Sequence, residues 1–136
     1  MKAIALLSGG LDSTLAVKVL LEQNIEIIAL NFSSPFCLCN GKSGCGARIK
    51  KVCDEFGIEY KIISKGMDYI EVVKKPKFGY GSNLNPCIDC RIYMLKSAKK
   101  IMSETNAQFV ITGEVLGQRP MSQHRKAIEL IEKESD

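Results

Sequence analysis

Apolar residues in this chain fall into short continuous runs that alternate with longer stretches of helical spacing. The run Ala3-Ile4-Ala5-Leu6-Leu7 predicts a strand over residues 2–7. Over 12–23, Leu15, Ala16, Val19 and Leu20 recur at helical spacing, with Lys18 and Glu22 outside that stripe. Residues 25–31 are nearly all apolar, as in a strand buried on both faces. A loop rich in Ser, Pro, Cys and Gly covers 33–46, and a second helix follows over 47–56, with Gly57 as its C-terminal cap. Ile58, Tyr60 and Ile62 alternate in a third strand over 58–64. A short helix over 67–75 is stopped by Pro76. After a loop over 79–85, Ile92, Leu95, Ala98 and Met102 mark a helix over 89–103. A fourth strand over 108–112 ends at Gly113, and a last helix is expected from about 122 to 133.

Strands alternating with helices predict an α/β fold: one parallel sheet, helices on both faces and right-handed crossovers. A strand order of 3-2-1-4 puts the turn after the first strand at the switch point, where such sheets bind ligands at their carboxyl ends. That end gathers the turn at Ser8, the segment 31–45, the loops leading to Cys87, and 113–123. The chain carries no internal repeat and no low-complexity segment.

With 136 residues and 46% hydrophobic content, the chain supports one ordinary core, so one domain is expected. The apolar run at 3–7 is shorter than a signal h-region. No stretch approaches the ~18 apolar residues of a membrane span. The expectation is a soluble, cytoplasmic protein with no membrane partner. In a reducing compartment its six cysteines suit metal ligation or reactive thiols better than a disulfide framework. The net charge of +4 is weak evidence for a nucleic-acid partner.

The strongest chemical signal is Ser8-Gly9-Gly10-Leu11-Asp12-Ser13, placed between a strand and a helix. Adjacent glycines permit a sharp turn, and the amides opening the next helix face an anion favoured by the helix dipole. Ser8, Ser13 and Thr14 add hydroxyls. A Walker A loop is excluded, because no Lys follows these glycines and the only Gly-Lys-Ser, at Gly41-Lys42-Ser43, has Phe36 where the leading glycine belongs. A dinucleotide Gly-x-Gly-x-x-Gly cannot be laid on Gly9-Gly10. The sequence resembles the PP-loop, Ser-Gly-Gly-x-Asp-Ser, of the N-type ATP pyrophosphatase superfamily. That resemblance implies an adenine-nucleotide α-hydrolase-like (Rossmann-like) fold, cleavage of ATP between its α and β phosphates, and transfer of AMP to a substrate oxygen.

A second signal is Asn85-Pro86-Cys87-Ile88-Asp89-Cys90-Arg91. Asn85 suits an N-cap and Pro86 a first helical position, which sets Cys87 and Cys90 one turn apart on one face. The helix N-terminus and Arg91 would both favour thiolate, the form that binds metal or attacks sulfur. A third signal is Cys37, Cys39 and Cys45 in the loop after the second strand. Cys53 falls in the apolar pattern of the second helix and is expected to be a small core residue.

Asn-Pro-Cys-x-x-Cys before a helix, and Thr112-Gly113-Glu114 leading into residues 115–123, resemble the PP-loop tRNA thiouridine synthases, above all those related to 2-thiouridine synthases. The resemblance spans Met1 to about Gln123. It implies adenylation of a uridine carbonyl oxygen and replacement of AMP by sulfur. In many 2-thiouridine synthases the reactive cysteine stands at the position of Cys90, whereas that of Cys87 is often not cysteine. Related thiolases with Cys-x-x-Cys and a distant third cysteine hold a [4Fe–4S] cluster, and this chain is closer to that pattern. Cys87 and Cys90 are then two ligands, with the third among Cys37, Cys39 and Cys45. Three thiolates on a cubane leave one iron open to a hydrosulfide. A persulfide on Cys90, resolved by disulfide exchange, is the competing route, and structural Zn2+ is a third.

Under the resemblance, Ser8, Gly9, Gly10 and Ser13 hold the β and γ phosphates, Asp12 orients Mg2+ or the loop, and Leu30 and Phe32 flank the adenine. Gly113 permits close approach near the α phosphate or ribose. Asp12, Cys87 and Cys90 form the catalytic set. Arg119 with Gln118, and Lys42 with Arg48, are candidates for nucleotide or RNA phosphate, against the plainer expectation of solvated charges. His124 is expected to have no role. The partners implied are tRNA or another RNA and a sulfur donor or carrier. Exposed sheet edges leave a homodimer open, with no interface legible.

Large RNA-modifying enzymes of this resemblance carry further RNA-binding parts, so residues 1–136 are expected to be a minimal or truncated PP-loop ATP-binding domain. Two other functions remain: an AMP-forming synthetase acting on a small carboxylate or amide with structural metal at the cysteines, and a non-catalytic ATP-binding subunit.

Overall fold

The structure, a computed structural model, describes residues 1–36 and 44–136, with the side chain of Cys45 outside the description. Cys37, Cys39 and Lys42 lie outside the described residues. The elements run β1 (Lys2–Leu6), α1 (Leu11–Leu21), β2 (Glu26–Ser33), α2 (Cys45–Phe56), β3 (Glu59–Ser64), α3 (Met67–Lys74), α4 (Cys87–Thr105), β4 (Phe109–Thr112) and α5 (Arg125–Ser135). A 3-10 turn at Ser82–Leu84 precedes α4.

The four strands form one parallel sheet, as the alternation of strands and helices predicts, in the expected order β3-β2-β1-β4. Lys2 to Leu6 pair with Glu26 to Leu30 on one side of β1, and Ala3 to Leu6 pair with Phe109 to Thr112 on the other. β2 continues past β1 to pair Ser33 with Ser64 on β3. At the carboxyl end of the central pair, Leu7 N donates to Leu30 O at 2.8 Å and the buried Asn31 donates its Nδ2 to Leu7 O at 2.9 Å. These bonds hold the chain in register where it leaves the sheet.

The described residues divide into two compact units, Met1–Ser64 with Ala98–Gly113, and Lys65–Ser97 with Glu114–Asp136. The first unit holds the sheet. Ala3, Ala5, Leu7, Ile27 and Ala29 pack on one face with Val17 of α1 and Ile49 and Cys53 of α2. Ile4, Leu6, Ile28 and Leu30 point the other way and are buried too. Both faces of β1 and β2 are therefore covered, which is why each reads as an unbroken apolar run. Cys53 is a fully buried core residue, and burial first, with Asp54 nearby, pushes its thiol pKa up. Gly57 ends α2 at φ 65°, where its amide bonds Asp54 O and the Ile58 amide bonds Cys53 O. A residue with a Cβ is strained in that left-handed conformation.

The buried face of the first helix differs from the expected one. Ser13 and Val17 are buried, while Leu15 and Val19 are 48% and 53% exposed. Apolar residues stand nearly all round α1, so its spacing fits more than one face. The rotation follows from Ser13, whose hydroxyl is bonded into the preceding turn.

In the second unit, the buried Asp89 accepts from the amides of Lys77 at 2.8 Å and Phe78 at 3.0 Å, tying the segment after α3 to the first turn of α4. An acid at that position also complements the helix dipole. Lys77 Nζ reaches Glu134 Oε2 on α5 at 2.6 Å. α5 starts at Arg125, later than the pattern suggests, and the reading of His124 as a residue without a role is corrected. His124 is the N-cap, its Nδ1 accepting from the Ala127 amide at 3.2 Å. An imidazole nitrogen satisfies the orphan amide that a Ser or Asp would ordinarily take.

Candidate active site

The turn between β1 and α1 is built by its own hydroxyls. Gly9 has φ +78°, and Gly10 is the N-cap of α1 with no side chain capping the helix. Ser13 Oγ and Thr14 Oγ1 both donate to Gly10 O, at 3.1 and 2.8 Å. Ser8 Oγ lies 3.1 Å from Ser13 Oγ and accepts from the Gly10 amide at 3.3 Å. The hydroxyls of Ser13 and Thr14 thus shape the loop, and the uncapped amides at the start of α1 are the groups left to face an anion. Asp12 is half-buried in that first turn.

Two other segments of the first unit border the loop. A Cβ on Gly113 would lie 2.4 Å from Ser13 N and Cα, so the close approach that this glycine permits is to the backbone opening α1. The stem of Arg48, on the first turn of α2, comes within 3.6 Å of a Cβ built on Gly9. Leu30 is fully buried within β2, and Phe32, next to the strand's last residue, is half-buried.

The second unit carries the cysteine pair. Helix α4 begins at Cys87 rather than Pro86, because Pro86 O accepts from the Cys90 amide at 2.7 Å and so closes the first turn. Asn85 does not cap it. Its Nδ2 donates to Ser82 O at 2.7 Å instead. Cys87 and Cys90 are both free and half-buried, one turn apart on the helix. Gly81 leaves room beside Cys87, since a Cβ there would stand 3.4 Å from Cys87 Sγ and 2.8 Å from the Met121 methyl.

The charge beside Cys90 is not the one expected. Arg91 turns to Glu114, with Nε and Nη2 both 2.6 Å from Oε1. The sulfur of Cys90 instead receives Lys65 Nζ at 3.1 Å and Tyr69 Oη at 3.3 Å. Burial, then the bond to Cys90, raises the Tyr69 pKa well above the ordinary phenol value, so Tyr69 stays a donor. Sequence reasoning missed both residues. The available signal was position: Lys65 follows directly on the carboxyl end of β3, the end at which parallel sheets place their ligands.

Among the described residues no three His, Cys, Asp or Glu gather as a metal site. Cys87 and Cys90 suit two thiolate positions of a metal or cluster by residue type and spacing, and the third candidates Cys37 and Cys39, with the Cys45 side chain, lie outside the described residues. Gln118 and Arg119 are exposed on the loop before α5. In the same loop Gln123 is buried, and its Oε1 has no hydrogen-bond donor among the described residues. No helix among the described residues is long and apolar enough to cross a membrane.

Comparison with known proteins agrees with this geometry. The family described as "ThiI: Thiamine biosynthesis protein (ThiI)" matches residues 1–136. A probable tRNA sulfurtransferase of Thermococcus kodakarensis is 28% identical over 123 residues, covering 86% of this chain and 30% of its own. A crystallised 4-thiouridine synthetase, solved with RNA and bound ATP, superimposes with a TM-score of 0.76 at 28% identity over 98% of this chain and 34% of that one. The U34-tRNA thiolase NcsA from Methanococcus maripaludis, solved with its [4Fe-4S] cluster, gives 0.57 at 26% identity over 84% and 38% of the two chains. The chain spans about 30% of the length of the curated relatives it matches.

Proposed function

The chain belongs to the ThiI family, and from that premise we propose that it takes part in ATP-dependent thiolation of a tRNA uridine. The reading rests on one observation: a single chain carries both an uncapped glycine turn that suits a triphosphate and a cysteine pair whose second sulfur is held by an ammonium and a phenol. In this reading residues 1–136 supply the PP-loop ATP-binding domain.

The amides opening α1, at Leu11 to Ser13, bind the departing pyrophosphate, since they are the loop's donors without an internal partner. Asp12 orients Mg2+, which neutralises the charge that builds on that leaving group. The uridine carbonyl oxygen attacks the α phosphorus, pyrophosphate leaves, and a sulfur nucleophile then displaces AMP from the activated carbon. Leu30 and Phe32 flank the adenine. Gln118 and Arg119 are offered to RNA or nucleotide phosphate.

Cys87 and Cys90 carry the sulfur chemistry. They would supply two ligands of a [4Fe–4S] cluster like the one in the M. maripaludis thiolase, with a third from Cys37, Cys39 or Cys45. Such a cluster, when bound, offers an iron that can hold a hydrosulfide. A persulfide on Cys90 is the competing route, and structural Zn2+ would instead be held by Cys37, Cys39, Cys45 and one more thiol. The RNA in the solved 4-thiouridine synthetase complex supports tRNA as substrate. A tRNA substrate and a sulfur donor or carrier would be met in the cytoplasm.

The test is pyrophosphate release from ATP, with and without tRNA. Thiolation requires release that depends on tRNA and is lost in Asp12→Ala. Release unaffected by tRNA but driven by a small carboxylate or amide would replace this reading with a synthetase, and binding without turnover would replace it with an ATP-binding subunit. Iron, sulfide and zinc analysis of anaerobically purified protein, repeated for Cys87→Ala and Cys90→Ala, separates the cluster from persulfide and zinc.

A further inference from the structure

Ser82 to Asn85 form an exposed loop directly before the cysteine helix, and backbone bonds close it at its neck. Gly81 N donates to Asn85 O at 2.7 Å, and the Cys87 amide donates to the same oxygen at 2.9 Å. Asn85 Nδ2 and its own amide both donate to Ser82 O, at 2.7 and 3.2 Å. The buried Pro86 anchors the downstream side. This closure holds two consecutive residues in the left-handed region, Asn83 at φ 55° and Leu84 at φ 60°. Asn tolerates that conformation, whereas the Cβ of a leucine is crowded in it. Leu84 is also 73% exposed, so burial does not offset the strain. A glycine would suit this backbone better, and a polar residue would suit the solvent.

The loop borders the sulfur site. A Cβ on Gly81, at the neck, would lie 3.4 Å from Cys87 Sγ and 2.8 Å from the Met121 methyl, which brings the segment before α5 to the same place. Met121 and Tyr80 are themselves 40% and 44% exposed. The Tyr80 hydroxyl donates to Val73 O and Lys74 O, which pins its ring at the end of α3. Lys75, the next residue along, and Arg119, two positions before Met121, are exposed and form no ion pair among the described residues. Apolar and aromatic tips among unpaired cations suit a nucleic acid, whose bases stack on the tips while its phosphates take the charge.

We propose that Leu84 is a wedge that enters the base stack of the RNA and fills the gap left when the target uridine turns out toward the cysteines. Chemistry on a base carbonyl requires the base to leave its stack, and an inserted apolar side chain holds such a gap open. The wedge accounts for a residue that both backbone and solvent disfavour, since local strain is retained where it serves a site. This deepens the thiolation reading and rests on it for the identity of the displaced base, but not for the insertion itself.

The chain contains no tryptophan, so Leu84→Trp installs a single indole at the contact. Titrated with unfractionated tRNA in the absence of ATP, its emission should be quenched as the indole stacks on bases. Val19→Trp, at a position 53% exposed on α1, should keep its emission. Leu84→Gly should weaken tRNA binding about five- to tenfold. Its thermal midpoint should equal or exceed that of wild type, because relief of the strain offsets the added freedom of the unfolded chain. Neither readout uses ATP or turnover, so both can fail while tRNA-dependent pyrophosphate release succeeds, and the reverse. Unquenched Leu84→Trp, equal quenching of the two tryptophans, unweakened tRNA binding by Leu84→Gly, or a lowered midpoint in that variant would each overturn the proposal.

Discussion

A Cβ on Gly113 would stand 2.4 Å from the backbone nitrogen of Ser13. The obstacle is backbone at the start of α1, which cannot swing aside as a flexible side chain would. Gly113→Ala must therefore push the end of β4 off the turn whose amides face the expected phosphate. Isothermal titration should show ATP binding weakened at least tenfold, and unfolding should show a loss of about 1–3 kcal/mol. An unchanged Kd would detach the turn's alignment from nucleotide binding.

Arg48 has its stem beside Gly9 and its head in solvent. A guanidinium reaching from the first turn of α2 can meet the terminal phosphates. Arg48→Ala should weaken ATP about three- to tenfold while leaving AMP binding nearly unchanged, with stability within about 0.5 kcal/mol of wild type. Equal losses for both nucleotides would rule out contact with the terminal phosphates.

The Arg91–Glu114 pair links α4 to the residue after Gly113, with side chains only 21% and 13% exposed. Breaking it from one side leaves a poorly solvated charge behind, so Glu114→Gln should cost about 1–3 kcal/mol in denaturant unfolding. A double-mutant cycle with Arg91→Met should return a coupling of about 1–2 kcal/mol. Additive effects would mean that the two residues act through other contacts.

Glu134 titrates below its ordinary value of 4.5, first because Lys77 hydrogen-bonds its carboxylate. A lowered carboxylate contributes stability that is fully present above the ordinary value and lost as pH falls through the lowered one. Lys77 is exposed and Glu134 half-buried at the surface, so solvent screening keeps the effect small. The stability gap between wild type and Glu134→Gln should shrink from pH 7 toward pH 3. A gap that widens on acidification would contradict the assignment.

Much of the fold was readable along the chain. β1 and β2 are continuous apolar runs because both their faces are covered, Gly57 marks a left-handed cap, and the strand and helix alternation implies a parallel sheet. The glycine turn and Cys87-x-x-Cys90 were legible because backbone conformation and sulfur chemistry demand particular residue types at short spacing. Local periodicity could not orient α1, where apolar residues on every side made Leu15 and Val19 look buried.

The sequence by itself determined the elements, the parallel architecture, the glycine turn and the thiols, because each depends on chain neighbours within one or two turns. Only tertiary structure decided what those thiols face. Lys65 and Cys90 are 25 positions apart, Arg91 and Glu114 are 23 apart, and neither pair has a periodic signature. Arg91 looked like the cation for Cys90 because it is adjacent in sequence. On a helix, adjacent side chains diverge by about 100°, so a neighbour one position on points away. The group that reaches the sulfur comes from the segment between β3 and α3, and packing alone brings it there.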